Sequence, residues 1–225
     1  MSGEVVVFAA ASLTEAFTEL GNTFVEAHPD ASVTFNFAAS SELVAQIIEG
    51  APADVYASAD LANMNRLSDA DAAVGAPAVF AGNRSEIVVA PGNPLGIGGV
   101  ADLAEDDLIV VTCAPQVPCG EYAARIFENA GVTVTPDSYE ENVKSVVTKV
   151  SFGEADAGIA YATDVAAAGD AVAGVEIPAD LNVVARYPIV LTSESTNPDG
   201  GRAFIDLVLG DVGQAILSRF GFSSP

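Results

Sequence analysis

The sequence predicts an α/β protein of two domains, each built on a largely parallel sheet flanked by helices. Predicted strands alternate with predicted helices along the whole chain, which is the pattern of parallel βαβ units. Two of the strands contain continuous apolar runs, at 5–9 and 108–111, as expected of sheet strands that are buried on both faces. The length of 225 residues is enough for one large domain or two small ones with real cores.

The elements follow from hydrophobic periodicity and from the turn residues between apolar segments. The predicted strands are 4–9, 32–37, 54–57, 86–91, 108–112, 157–161 and 183–191. The predicted helices are 13–27, 41–49, 60–68, 120–130, 141–152, 163–168 and 199–219. The last helix carries an apolar face made by Phe204, Ile205, Val208, Ile216, Leu217 and Phe220.

Two segments have the composition of crossings between domains. The first is 81–91, where Ala-Gly-Asn-Arg leads into an apolar strand, and the second is 183–190. A double crossing predicts that residues 1–82 and 187–225 form a first, discontinuous domain. Residues 83–186 would then form a second, inserted domain.

The chain is strongly acidic, with a formal net charge of -23 from 31 acidic and 8 basic residues. Phosphate backbones are bound by clustered Lys and Arg, so nucleic acid is not an expected partner. The acidic residues are scattered, which is typical of a solubilising surface. No run approaches the ~18 apolar residues of a membrane helix.

A strand that runs through a serine into a helix occurs twice, at 5–17 and at 35–47. The first copy contains Ser12 and the second contains Ser40 followed by Ser41. Each copy leaves a hydroxyl and free N–H groups at a helix N-terminus, which together bind anions. The first basic residue of the chain is Arg66, so these groups would act without a neighbouring cation.

The alternative interpretation of these serines is an ordinary N-cap, and the sequence does not decide which of Ser40 and Ser41 would fill it. Two such termini after neighbouring parallel strands would converge at the carboxyl edge of one sheet. That edge is where open α/β sheets bind their ligands. We therefore expect Ser12 and Ser40 to belong to one oxyanion site.

The second domain offers three further donors. The main-chain N–H of Cys119 and that of Val143 lie at predicted helix starts, and Gly120 allows close approach of the backbone. Tyr161 ends the apolar strand 157–161 and would point its hydroxyl into the same site. The alternatives are ordinary helix starts and a partly buried tyrosine with its hydroxyl in water.

The two cysteines, Cys113 and Cys119, enclose a short loop that contains two prolines. A disulfide there would stabilise the fold by roughly 2 kcal/mol in the chain-entropy model. The even count and close spacing favour a disulfide and an oxidising compartment over two free thiols. The spacing is not that of a thioredoxin-like Cys-x-x-Cys motif.

An enzyme is the main alternative class. His28 is the single histidine, at a predicted helix end, and no Gly-x-Ser-x-Gly elbow accompanies it. The chain contains no Gly-x-x-x-x-Gly-Lys-Ser/Thr loop for nucleotide phosphates. One histidine and two close cysteines do not make a zinc site. We therefore expect neither catalysis nor a bound metal cation.

Several segments together resemble the periplasmic molybdate-binding proteins that supply ABC importers. The matching segments are 7–14, 37–41, 50–55, 117–123, 158–161, 187–190 and 219–222. The resemblance therefore spans nearly the whole chain. It implies a type II periplasmic-binding-protein fold, with a ligand cleft between two domains that close on the ligand.

By motif match, the resemblance implies that the oxyanion is held by Ser12, Ser40, Tyr161 and the main-chain N–H groups of Cys119 and Val143. Where the family has alanine, this chain has Cys119, so a disulfide would stiffen the pocket wall. Molybdate and tungstate are the implied ligands, with no cofactor. Sulfate or another tetrahedral oxyanion is the alternative ligand, and an α/β hydrolase is the more distant alternative.

The chemistry of these donors agrees with such ligands. Molybdate, tungstate and sulfate are doubly charged near neutral pH and have no proton to donate, so a site for them needs donors only. A buried carboxylate would face the anion as an unfavourable unpaired charge. The choice between molybdate and sulfate then depends on the radius of the cavity.

The resemblance also implies a partner and a location. The partner is the membrane permease of an ABC importer, and the binding protein itself is expected to be a monomer. Residues 1–3 have neither the basic region nor the apolar segment of a secretion signal. By themselves these residues fit either a cytoplasmic protein or one whose secretion signal has been removed. The resemblance implies an extracytoplasmic location, in the periplasm or at the cell envelope, and leaves open a lipid anchor on the precursor.

Overall fold

The computed structural model describes residues 1–225. The strands are β1 (Ser2–Ala10), β2 (Asp30–Ala38), β3 (Val55–Ala57), β4 (Ala73–Val89), β5 (Val110–Cys113), β6 (Ser138–Glu140), β7 (Ala157–Tyr161), β8 (Ala173–Glu176) and β9 (Val184–Thr192). The helices are α1 (Thr14–Ala27), α2 (Ser40–Ile48), α3 (Leu61–Asp69), α4 (Pro118–Ala130), α5 (Val143–Ser151), α6 (Ala162–Ala168), α7 (Pro198–Leu209) and α8 (Asp211–Arg219).

The chain divides into two compact units. The first unit contains Met1–Gly82 and Arg186–Pro225, and the second contains Asn83–Ala185. The chain passes from the first unit to the second within β4 and returns within β9. The first unit is therefore discontinuous in sequence and the second is continuous.

The sheet of the first unit has the strand order β2-β1-β3-β9. β1 is parallel to β2 over its whole length, from the pair Ser2 and Asp30 to the pair Ala10 and Ala38. β1 is also parallel to β3, and β9 closes the order antiparallel to β3. The carboxyl ends of β1, β2 and β3 therefore lie at one edge of the sheet.

Both faces of this sheet are covered by apolar side chains. One cluster is formed by Phe8, Leu43, Val44, Ile47, Ala53, Tyr56, Met64, Leu67 and Val190, from the sheet and from α2 and α3. A second cluster is aromatic. Its centre is Phe17 of α1, whose ring centroid lies 5.7 Å from that of Phe80 and 5.9 Å from that of Phe204 in α7. Burial on both faces explains the continuous apolar run of β1.

The sheet of the second unit has the order β4-β7-β5-β6, with β8 paired to β4. β5 is parallel to both β6 and β7, whereas β4 is antiparallel to β7 and β8. Its core cluster is formed by Ile87, Val89, Ile97, Val100, Leu103, Val110, Ala123, Ile126, Phe127, Ala157, Ile159 and Ile177. All of these residues belong to the continuous segment.

The predicted α/β class is confirmed, and the differences from the predicted elements have local causes. The first part of β4 was missed because residues 73–85 contain two glycines and a proline, which weaken a strand pattern. The short strands β6 and β8 were also missed. The predicted helix 199–219 is wrong as a single element, since the extended backbone of Gly210 ends α7 and precedes α8.

None of the helices combines the length and the apolar character required to span a membrane.

Candidate functional site

Ser12 and Ser40 lie beyond the carboxyl ends of two adjacent parallel strands. The last paired residues of β1 and β2 are Ala10 and Ala38, and each serine follows its strand by two residues. Ser12 lies in a short 3-10 turn before α1, and Ser40 is the first residue of α2. The strand–serine–helix repeat thus brings both serines to one edge of the first sheet, as expected from the sequence.

Neither serine acts as a side-chain cap of its helix, so the N-cap interpretation is wrong. The Oγ of Ser12 lies 2.9 Å from the hydroxyl oxygen of Tyr187, and both side chains are buried. Tyr187 belongs to β9 and is 175 residues away in sequence. Nothing in the local sequence could have indicated this contact.

The hydroxyl of Ser40 is engaged by the backbone that follows the next parallel strand. The main-chain N–H of Ala59 donates to Ser40 Oγ at 3.0 Å, and Ala59 follows β3 by two residues. The hydroxyl of Tyr56 donates to the main-chain oxygen of Ser40 at 2.9 Å. Burial raises the pKa of the Tyr56 hydroxyl, so it stays protonated as a donor.

The second unit repeats the arrangement with three parallel strands. Cys119 lies in the first turn of α4, which follows β5, and Val143 opens α5, which follows β6. Tyr161 is the last residue of β7 and precedes α6. Since β5 is parallel to both β6 and β7, these three residues lie beyond the same edge of the second sheet. The structure thus brings together the predicted residues within each unit.

The predicted disulfide is confirmed. Cys113 ends β5 and is bonded to Cys119, with 5.7 Å between their Cα atoms. Gly120 follows directly, and a Cβ atom there would lie 2.1 Å from the main-chain oxygen of Ala114. Only glycine allows α4 to begin so close to the end of the strand. The disulfide and this close contact together fix the position of the Cys119 N–H.

The N-terminus of α5 is capped by a side chain. Asn142 Oδ1 accepts from the main-chain N–H of Ser145 at 3.1 Å. The N–H of Val143 lies at the first position of the helix, where no intrahelical acceptor exists. An N–H at this position is of the kind that donates to an anion at a helix N-terminus.

Tyr161 is almost completely buried, with 2% of its surface exposed. Its ring packs edge-on against that of Tyr122, with 6.3 Å between centroids. The hydroxyl oxygen is itself buried, so the alternative of a hydroxyl in water is wrong. Burial and packing against Tyr122 therefore restrict the orientation of the Tyr161 hydroxyl.

The sequence interpretation missed an ion pair beside these donors. Lys144 Nζ lies 3.0 Å from Asp164 Oδ1, and the Asp164 side chain has no exposed surface. Lys144 follows Val143 directly, and Asp164 lies in the first turn of α6. The only feature of the sequence that could have indicated this ion pair is that Lys144 is adjacent to Val143. Its charge is matched by a carboxylate, so it does not present an uncompensated cation.

The second unit also contains a cavity that is separate from these donors. A cavity of about 160 Å³ is lined by Val89, Leu95, Ile97 and Asp156, among others. It lies at the amino end of β7, whereas Tyr161 is at the carboxyl end. No group of three or more His, Cys, Asp or Glu side chains could hold a metal ion.

Hydroxyl and N–H donors beyond the carboxyl edges of parallel strands are chemically suited to an oxyanion. The family model described as bacterial extracellular solute-binding protein matches residues 5–223. The chain belongs to this family. The members are solute-binding components of transport and not enzymes, which agrees with the expectation from the sequence.

This extracellular solute-binding protein is similar to proteins that are named for molybdate binding. The molybdate-binding protein ModA of Mycobacterium tuberculosis is 42% identical over 221 residues, covering 98% of this chain and 85% of that protein. The periplasmic molybdate-binding protein of Azotobacter vinelandii has a TM-score of 0.84 at 20% identity, covering 98% of this chain and 99% of that one. The predicted resemblance to molybdate-binding proteins is thereby confirmed.

The fold itself is shared more widely. The sulfate-binding protein SubI of Mycobacterium tuberculosis has a TM-score of 0.88 at 18% identity, covering 99% of this chain and 87% of that one. At such identities the likeness concerns the fold alone. The predicted periplasmic-binding-protein fold is confirmed for this solute-binding protein by both structures.

Proposed function

We propose that this protein captures molybdate outside the cytoplasm, and tungstate equally, and delivers it to the membrane permease of an ABC importer. The main observation in support of this function is that Ser12 and Ser40 lie at one edge of the first sheet and do not cap their helices. Their hydroxyls are therefore not committed to the local backbone as caps. The 42% identity to a protein named for molybdate binding supports the choice of ligand.

In this proposal the ligand is held by Ser12, Ser40, Tyr161 and the main-chain N–H groups of Cys119 and Val143. All five are neutral donors, and none of them is an acceptor-only group such as a carboxylate. Hydrogen bonds from neutral donors to an ionised oxygen are roughly twice as strong as neutral pairs. Molybdate here is a transported ligand and not a cofactor.

The proposed donors come from both compact units. Ser12 and Ser40 belong to the first unit, and the other three donors belong to the second. We further propose that the protein acts as a monomer in the periplasm or at the cell envelope.

Sulfate is the ligand to exclude, because it has the same charge and tetrahedral shape as molybdate. Isothermal titration calorimetry with molybdate, tungstate, sulfate and phosphate tests the proposal. Molybdate and tungstate are expected to bind one per chain with similar affinity, and sulfate and phosphate far more weakly. Sulfate binding as tightly as molybdate would reject the specificity, and absence of heat and of thermal stabilisation with all four would reject the function.

A further inference from the structure

The contact between Ser12 and Tyr187 links a proposed ligand donor to β9. Their oxygen atoms lie 2.9 Å apart, and Tyr187 has no exposed surface. The tyrosine ring is held edge-on by two other rings, with centroid distances of 6.2 Å to Phe80 and 5.4 Å to Phe222. The position of its hydroxyl is therefore fixed by packing in the core of the first unit.

Ser40 shows what such a contact does to a serine hydroxyl. The main-chain N–H of Ala59 can only donate, so Ser40 Oγ is the acceptor of that hydrogen bond. A hydroxyl has one proton, and here that proton is not used in the bond with Ala59. The serine is thereby left with its proton to give to another group.

At Ser12 the partner is a hydroxyl, so the geometry alone allows either atom to donate. The phenol is the stronger acid and hence the better donor of the two. A fully ionised oxyanion accepts hydrogen bonds and donates none, so Ser12 must give its proton to the ligand. Its oxygen is then left to accept from Tyr187.

We propose that Tyr187 is a positioning residue that donates to Ser12 Oγ and so directs the Ser12 proton toward the oxyanion. This inference rests on the proposed function. A donor behind each serine leaves both hydroxyl protons for the anion, and the chain from Tyr187 through Ser12 to the anion polarises each bond in it. Such a pair favours a fully deprotonated anion over one whose own proton needs an acceptor.

The test is a double-mutant cycle measured as molybdate affinity by calorimetry. Ser12→Ala is expected to weaken binding about 10- to 150-fold and Tyr187→Phe about 5- to 10-fold. In the Ser12→Ala background, Tyr187→Phe should change the affinity by less than about twofold, because it then has no hydroxyl to orient. Tyr56→Phe is the matched control, since it also removes a buried hydroxyl from the first unit. Its effect should be the same with and without Ser12.

A purely structural role for Tyr187 would lower stability and leave the two substitutions additive in affinity, which would overturn the proposal. Neutron diffraction from a crystal of the deuterated protein grown with molybdate gives a second readout that needs no variant. Deuterium on Tyr187 Oη directed at Ser12 Oγ is expected, and deuterium on Ser12 directed at Tyr187 would refute the inference. If the wild type binds none of the oxyanions, the proposed function fails, whereas binding by the wild type with additive substitutions overturns only the role of Tyr187.

Discussion

Lys144 and Asp164 form an ion pair in which Nζ lies 3.0 Å from Oδ1 and the carboxylate has no exposed surface. The pair joins the first turn of α5 to the first turn of α6. Val143 precedes Lys144 directly, and Tyr161 lies three residues before Asp164. The ion pair therefore holds together the two chain segments that carry these proposed donors.

Replacing Lys144 with methionine is expected to destabilise the protein by ~2–4 kcal/mol, because a buried carboxylate loses its cation. The lower part of that range applies because Lys144 is itself 29% exposed. Urea unfolding followed by circular dichroism measures the effect. Arg202→Met is the control, since the Arg202 and Asp199 side chains are both largely exposed. It should cost less than about 0.5 kcal/mol, and an equal loss in both variants would contradict the prediction.

Ser12→Ala and Ser40→Ala should each weaken molybdate binding by ~1.5–3 kcal/mol, because each removes a donor to a charged ligand. Calorimetric titration of the two variants measures the loss. Ser195→Ala is the matched control, because this serine of the first unit donates to Asp54 Oδ1 at 2.7 Å. It should reduce stability and leave the affinity unchanged. A loss below about 0.3 kcal/mol would remove the serine concerned from the site.

Stability should depend on pH through Glu140. Burial raises the pKa of this carboxyl, but hydrogen bonds from Lys149 and Ser138 and the Lys149 charge outweigh it, so the pKa is lowered. Lys149 Nζ lies 2.7 Å from Glu140 Oε1. A carboxyl whose pKa is lower in the folded state binds fewer protons there than in the unfolded state. Its stabilisation is complete above the ordinary pKa of 4.5 and is lost as the pH falls through the folded value.

Glu140→Gln is therefore expected to lower the free energy of unfolding by about 1–2 kcal/mol at pH 7. The difference from the wild type should shrink below the ordinary carboxyl pKa of 4.5. Chemical denaturation at a series of pH values from neutral to acidic measures it. Glu141→Gln, at the exposed next residue, should change the free energy by less than about 0.5 kcal/mol throughout. A difference between wild type and Glu140→Gln that stays constant with pH would exclude this role.

The disulfide is expected to support both stability and binding. Cys113→Ser combined with Cys119→Ser should lower the free energy of unfolding by roughly 2 kcal/mol, because the loop gains freedom in the unfolded chain. Weaker molybdate binding is expected as well, because the bond holds the first turn of α4, where the Cys119 N–H lies. The same test can be made without a substitution, by comparing the melting temperature and the molybdate affinity of the unsubstituted protein with and without reductant. If reduction changes neither quantity, the disulfide does not stiffen the site.

The parts of the site that follow from local pattern were predictable from the sequence. Ser12 and Ser40 each come after an apolar strand and before a helix, and the parallel pairing of those strands brings them to one edge. Tyr161 was identified as the end of an apolar strand, and Cys119 and Val143 as residues at helix starts, although β6, the strand before Val143, was missed. Chain direction and strand order are sufficient for this kind of inference.

The contacts that orient these groups were not predictable, because each depends on a residue far away in sequence. Tyr187 meets Ser12 across 175 residues, and Ala59 meets Ser40 across 19. Such pairs are set by how β9 and β3 lie in the sheet, which a single sequence does not reveal. The break at Gly210 was missed for a different reason, since the apolar period continues across it.

The division of the first unit into two stretches of chain has a consequence for synthesis. Residues 83–185, with every member of the second unit's core cluster, are synthesised before Val190 and Phe204. Until then β3 has no antiparallel partner in β9, and the aromatic cluster around Phe17 is incomplete. The sequence of the inserted unit is therefore complete before that of the unit that begins the chain, which needs the last residues to be made. A nascent chain stalled before β9 would expose an unpaired strand edge and become a substrate for chaperones.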